Sequence, residues 1–223
     1  MRKKLRVGVL ASGGGTDFQS IVDASEKKMI NAEVVVLICD KSDAFCLKRA
    51  GKHNIDSFFV NTNNKSREEI DEEIDNILIG HDVELVVGAG YMRILTGDFV
   101  TKWYGRLINI HPALLPSFKG VNGQGDAFDY GIKISGCTTH FMNEKMDSGP
   151  IILQAAVKVM PGDDRDKLAS RILEVEHQIL PRTIDLFEKG CLEIKKRCVE
   201  IKKDKSWKEK YKVLPNVLYS EGY

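Results

Sequence analysis

Metal-binding spacings, charge of one sign and long apolar runs are all missing from this chain of 223 residues. The five histidines form no H-x-H or H-E-x-x-H pattern, and the five cysteines (Cys39, Cys46, Cys137, Cys191, Cys198) form no C-x-x-C pair. No metal site is therefore expected. Several of the cysteines lie inside apolar strands, as buried, reduced thiols of a cytoplasmic protein would. With 33 basic and 32 acidic side chains, no net field recruits nucleic acid or an acidic membrane. No apolar stretch approaches the ~20 residues that a bilayer crossing requires. The apolar part of the opening, Met1-Arg-Lys-Lys-Leu-Arg-Val-Gly-Val-Leu10, is too short for a signal peptide and reads as a first strand.

What is present is an alternation of strand and helix patterns. Short apolar strands are expected at Arg6–Leu10, Glu33–Cys39, Phe58–Val60 and Leu85–Gly88. Helices are expected from about Asp17, over Ala44–Gly51 and over Arg67–Ile79. Leu107–Ile110 reads as a further strand, and Gly136–Met142 with Ile151–Met160 as an antiparallel pair. A long helix is expected from near Asp163 to Lys189, kinked at Pro181. The rhythm predicts a single α/β domain. Its N-terminal half is a Rossmann-like, doubly wound, mostly parallel sheet, and this continues into a mixed sheet with an antiparallel C-terminal part. Residues 1–190 are taken as the catalytic unit and 191–223 as an extension packed on it or trailing from it. Within that extension, Lys195–Lys212, with Ile201, Trp207 and Tyr211, reads as a solvated edge strand and a draped tail. Residues 112–126, rich in Pro and Gly, read as a mobile loop.

Three places carry chemistry. Ser12-Gly-Gly-Gly-Thr-Asp17 joins the first strand to the first helix, where backbone N–H groups can meet an anion. Phe18 stands where a dinucleotide fingerprint needs its third glycine, and no lysine follows, so a phosphate monoester fits better than a dinucleotide. Asn109 and His111 alternate along one strand and so share a face. An amide donor beside an imidazole suits a reaction that passes through a tetrahedral oxyanion. No Ser or Cys is placed as a nucleophile, which points to direct acyl transfer between two bound substrates. Asp147 lies in a Gly-containing turn and becomes functional only by touching His111. Arg93 is a ligand-binding cation or a structural ion-pair partner. Glu176 needs either a basic partner or a ligand. His140 reads as a packed strand histidine.

The segments Gly90-Tyr-Met-Arg-Ile-Leu95, Asn109-Ile-His-Pro-Ala-Leu-Leu-Pro116 and Gly136-Cys-Thr-Thr-His-Phe-Met-Asn-Glu-Lys-Met-Asp-Ser-Gly-Pro-Ile-Ile-Leu-Gln154, with the Gly loop, resemble the phosphoribosylglycinamide formyltransferase family up to about Gly190. The resemblance implies formyl transfer from 10-formyltetrahydrofolate, a co-substrate, to glycinamide ribonucleotide, without a metal. It implies Asn109, His111 and Asp147 as the catalytic trio. Gly15, Thr16 and Asp17 would hold the phosphate, and Leu173, Glu174, Val175 and Glu176 would meet the same substrate. Arg67, Met92, Arg93, Ile94, Leu95, Asn109, Asn143, Glu144, Lys145, Met146 and Asp147 would hold the folate. The partners would be small molecules, with no nucleic acid or membrane, and the chain a monomer or homodimer. Asp17 departs from the Asn usual in the family, and Gln124 from a frequent His. A methionyl-tRNA formyltransferase or a formyltetrahydrofolate hydrolase, similar in the core, would carry a further domain that this length disfavours. A dinucleotide-binding regulatory module would leave Asn109 and His111 unexplained.

Overall fold

The computed structural model describes residues 3–204, 211 and 213–223. The strands, in chain order, are β1 (Leu5–Ala11), β2 (Ala32–Cys39), β3 (Asp56–Phe59), β4 (Leu85–Gly88), β5 (Leu107–His111), β6 (Ile134–Phe141), β7 (Ile151–Lys158), β8 (Leu192–Lys195), β9 (Cys198–Ile201) and β10 (Val217–Tyr219). The helices are α1 (Thr16–Glu26), α2 (Phe45–Lys52), α3 (Arg67–Gly80), α4 (Gly97–Lys102), α5 (Gly123–Tyr130) and α6 (Arg165–Glu188). One mixed sheet runs β3-β2-β1-β4-β5-β6-β7-β9-β8, with β10 also paired to β7. The run β3 to β5 is parallel, and β5–β6 and β6–β7 are antiparallel. This is the single α/β architecture expected from the alternation.

Period-two alternation along the strands explains why both faces are covered. On β1, Val7, Val9 and Ala11 enter the core under α1, α2 and α6, and Leu10 enters the one under α3 and α4. On β4, Leu85 and Val87 point to the first core and Val86 to the second. α3 begins with a reciprocal cap in which the Ser66 side chain accepts from Glu69 N–H and the Glu69 carboxylate accepts from Ser66 N–H.

Several expectations change. α5 lies inside the segment read as a mobile loop. Its Gly123 and Gly125 argue against a helix locally, but both are buried with Ala127, and tertiary packing outweighs propensity. α4, six residues capped by the Thr96 hydroxyl, was too short to show a period. α6 continues through Pro181 as one helix. All five cysteines are free, but Cys191 is half-buried and Cys198 exposed. The edge strand expected near Lys195 is the β8–β9 hairpin. Residues 205–210 and 212, with Trp207 among them, lie outside the described residues. No helix among the described residues is long and apolar enough to cross a membrane.

The C-terminal segment is tied to α6 through a buried cation. Arg182, 1% exposed, donates through Nη1 to Asp185 Oδ2 at 2.7 Å and Asp204 Oδ2 at 2.9 Å, and through Nε to the Gly222 carbonyl at 2.9 Å. Its guanidinium also faces the Tyr211 ring. Removing one member of a buried ion network leaves a desolvated charge, so Arg182→Ala is expected to lower stability by about 3 kcal/mol or more. Urea unfolding checks this, and a change within about 0.5 kcal/mol, typical of surface substitutions, would contradict it.

Candidate active site

In the order β3-β2-β1-β4-β5 the chain turns one way from β1 and the other way from β4. Open α/β sheets form a crevice at such a switch point, beyond the carboxyl ends of the strands. The loops after β1 and β4 meet there, where Ser12 N–H donates to Gly90 O at 3.0 Å and Met92 N–H to Ser12 Oγ at 2.9 Å.

Gly15 immediately precedes α1 with φ of 68°. A Cβ at this position would lie 2.6 Å from the Cys46 Cβ, so both backbone conformation and space require glycine. No side chain caps α1, and its N-terminal N–H groups are available to an anion. Arg49 on α2 donates through Nε to Gly14 O at 2.8 Å and through Nη1 to Gln19 Oε1 at 3.3 Å, which puts a cation beside the loop. The sequence reading missed Arg49, because nothing in its spacing links α2 to the Gly loop.

β5 presents Asn109 and His111 on one face, while Ile108 and Ile110 enter the core on the other. Asn109 is the register partner of His140 on β6. The His140 Nδ1 lies 3.0 Å from the Phe141 carbonyl, which can only accept, so Nδ1 carries the hydrogen. The bare Nε2 then accepts from Asn109 Nδ2 at 3.3 Å. Burial pushes the His140 imidazole below its ordinary range, which keeps that acceptor neutral. The Asn109 Oδ1 is packed against Gly88, where a Cβ would lie 2.7 Å from it. His140 is thus not only a packed strand histidine, as expected, but part of the site. Its alternating strand hid the register with Asn109.

The His111 imidazole, 3% exposed, meets an oxygen at each nitrogen. Nδ1 lies 3.5 Å from Asp147 Oδ2, and Nε2 donates to the Phe118 carbonyl at 2.7 Å. Asp147 Oδ2 also accepts from Gly120 N–H at 2.8 Å, and Asp147 Oδ1 is 3.7 Å from His140 Nε2. Asp147 holds φ of 47°, a left-handed conformation that Asp tolerates better than most residues. The contact between Asp147 and His111, on which the role of the aspartate depended, is present.

These groups line one cleft of about 1050 Å³, including its open mouth, a size suited to two small molecules. Its wall holds Asn109, His111, Asp147, Met92, Arg93, Ile94, Leu95, Asn143, Glu144, Lys145, Met146, Asp17 and Glu176, together with Tyr91, Gln124 and His140. Met92, Ile94 and Met146 are about half exposed, an apolar surface open to a flat ring. Among the described residues no Ser or Cys lines the cleft.

Other expected residues lie elsewhere. Of the run Leu173–Glu176 only Glu176 reaches the cleft; Val175 is buried in the core, Glu174 faces a different groove and Leu173 is half-buried. A helix turns about 100° per residue, so four consecutive positions cannot share one face. Arg67 is exposed at the start of α3 and is not on the wall. Arg67 and Arg93 both act on the buried Asp71, whose carboxylate accepts from Thr96 N–H; burial raises the Asp71 pKa and these contacts oppose the rise. Arg93 therefore both lines the cleft and supports Asp71. Gly15 and Thr16 lie off the cleft wall. Thr16 opens onto a neighbouring groove with Gln19, Arg49 and His177.

A family model described as Formyl transferase matches residues 5–184. The phosphoribosylglycinamide formyltransferase of Haemophilus influenzae is 39% identical over 191 residues, covering 85% of this chain and 90% of the relative. The trifunctional purine biosynthetic protein adenosine-3 of Chironomus tentans is 41% identical over 198 residues, 87% of this chain, but the match spans only 14% of that longer protein. The crystal structure of glycinamide ribonucleotide transformylase 1 from Symbiobacterium toebii superposes with a TM-score of 0.87 at 42% identity, covering 90% of this chain and 95% of that one. Similar in sequence and in fold over most of its length to single-domain relatives of this kind, the chain belongs to the phosphoribosylglycinamide formyltransferase family of formyl transferases.

Proposed function

We propose that the protein transfers the formyl group of 10-formyltetrahydrofolate to the amine of N1-(5-phospho-D-ribosyl)glycinamide. The products are formylglycinamide ribonucleotide and tetrahydrofolate, in de novo purine (IMP) biosynthesis. It acts in the cytoplasm on small molecules alone, as a monomer or homodimer, with residues 1–190 carrying the chemistry and 191–223 as an extension packed on that unit or trailing from it. The observation that carries this reading is the His111–Asp147 contact at 3.5 Å, beside Asn109 in the cleft that also holds Glu176. The names of the full-length relatives support the substrate.

The phosphate sits at the N-terminus of α1, near Arg49. The pterin lies against Met92–Leu95 and the turn Asn143–Asp147, and Arg93, Lys145 and Arg67 face the folate's carboxylates. The amine lone pair attacks the formyl carbon and the carbonyl electrons move onto oxygen. Asn109 gives one Nδ2 hydrogen to His140 and the other to the oxyanion. The Phe118 carbonyl yields the Nε2 hydrogen of His111 to the same oxygen, and Asp147, facing Nδ1, keeps the ring oriented. As the carbonyl re-forms, the bond from carbon to the folate nitrogen breaks. The proton lost by the attacking nitrogen reaches the departing one through water. Holding both reactants side by side supplies the remaining acceleration.

Tetrahydrofolate release should depend on glycinamide ribonucleotide; equal release with water alone would instead identify a hydrolase. Asn109→Ala is expected to lower kcat about 10²–10³-fold, the effect of removing one oxyanion donor. His111→Ala and Asp147→Asn should lose kcat by at least about 10²-fold while ribonucleotide binding persists in calorimetry. Full turnover in any of the three would remove that residue from the mechanism.

The low pKa of His140 gives a pH prediction. Its folded value lies below the unfolded one, so the favoured neutral state contributes stability above the ordinary imidazole range, and this is lost as pH falls. Protonation also turns Nε2 from acceptor to donor and displaces the Asn109 amide. Both Tm and kcat should decline on the acid side, and a His140→Asn variant should show a flatter acid limb in kcat. An unchanged limb would assign the acid dependence to another group.

A further inference from the structure

Asp17 is an acid at the place where the proposed function puts a phosphate. It is the second residue of α1, and its own N–H is among the first-turn donors that no carbonyl of the helix can reach. Its side chain lines the catalytic cleft and keeps 13% of its surface exposed, yet Oδ1 is buried and makes no hydrogen bond. The other oxygen is therefore the one that a ligand in the cleft can touch.

Among the described residues no donor settles Asp17 as a carboxylate. On α6, His177 Nε2 lies 3.8 Å from Oδ1, too far to donate. Burial, with the charge of Arg49, lowers the His177 pKa, so that ring is neutral and brings no charge. Glu176, on the same helix, brings a second acid. On α2, Arg49 directs Nε and Nη1 at Gly14 O and Gln19 Oε1, and Cys46 packs against Gly15. Cys137 of β6 is a buried thiol. Burial raises the Asp17 pKa to about 7.

A phosphate dianion disfavours the carboxylate further. The free N–H groups of the helix end and Arg49 form a positive field that suits either anion. A phosphate that takes those groups leaves Asp17 beside two negative charges with no donor of its own. As a carboxylic acid the same side chain is an O–H donor, and a phosphate oxygen accepts a short, charge-assisted bond from it. An ammonium ligand would suit the carboxylate but is repelled by the same positive field.

We propose that Asp17 binds the substrate's phosphate as a carboxylic acid, donating its O–H to a phosphate oxygen, so that each ribonucleotide enters with one proton. The inference rests on the proposed placement of the phosphate at α1 and adds a donor and its protonation state.

The sign follows from the two titrations. Above about pH 7 free Asp17 is ionised and takes up a proton to bind, whereas a phosphate monoester, with a second pKa of about 6, is already the dianion. Calorimetry of ribose 5-phosphate at about pH 8, in two buffers of different ionisation enthalpy, should count about one proton taken up, and affinity should fall about tenfold per pH unit above that. Asp17→Asn keeps the shape and a donor but cannot titrate, so its proton number should fall to about zero and its affinity should stay level. In turnover, the ratio of wild-type KM to variant KM for glycinamide ribonucleotide should rise about tenfold per pH unit over the same range, and the ratio cancels the titration of the substrate itself. A wild type that takes up the Asp17-dependent proton with ribose 5-phosphate but transfers no formyl keeps the acid donor and overturns the proposed function. Binding without proton uptake, no binding of ribose 5-phosphate at any pH, or an equal proton number in Asp17→Asn overturns the acid donor and leaves the transfer assay to stand by itself.

Discussion

The carboxylate of Asp147 holds the site together. One oxygen receives the Gly120 N–H and faces His111 Nδ1, and the other faces His140. Three stretches far apart in the chain meet there: the loop after β5, the end of β5 itself and the turn between β6 and β7. A largely desolvated carboxylate needs donors, so the loop after β5 and the end of β5 are held against the Asp147 turn by the N–H groups they direct at it. The left-handed backbone of Asp147 is the local cost of aiming the side chain inward. The sheet makes this possible because β5 is parallel to β4 on one side and antiparallel to β6 on the other. The first pairing brings the Met92–Leu95 segment to the cleft, and the second brings His140 and the Asp147 turn.

The acids of the cleft divide into two kinds. Asp147 has a donor supplied by the protein, the Gly120 N–H. Asp17 and Glu176 have none from the described residues. Near His111 a settled charge is useful, because the imidazole must keep one orientation through the reaction.

Much of this was legible in the sequence. Alternating apolar patterns gave the strands that carry the site, and the two-residue spacing of Asn109 and His111 fixed their common face before any contact was known. The Gly turn after β1 was equally local. What was hidden depended on register or on distant packing. His140 became part of the site only through its pairing with Asn109. Arg49 reached the phosphate loop only because α2 packs beneath Gly15. α5 was hidden by its own glycines, since a helix that packs this closely cannot carry the side chains that would have announced it. At Leu173–Glu176 the sequence did not show that a helix presents only part of a contiguous run to one cleft, here Glu176.

Asn109 is where the constraints of fold and chemistry meet. Its amide must donate toward the cleft, so its other groups must be fixed by the protein. The Gly88 backbone leaves room for Oδ1, and a neutral His140 takes one Nδ2 hydrogen. A protonated His140 would present N–H to N–H, and the amide would turn its oxygen toward that donor. The direction of the proposed oxyanion donor therefore depends on a histidine being kept uncharged by burial. Asp147 lies 3.5 Å from one ring and 3.7 Å from the other, so its charge alone cannot separate them. Hydrogen-bond geometry does. His111 has an oxygen at both nitrogens, whereas His140 has a carbonyl at one and an amide donor at the other. Two imidazoles around one carboxylate thus differ in the atoms opposite their second nitrogens.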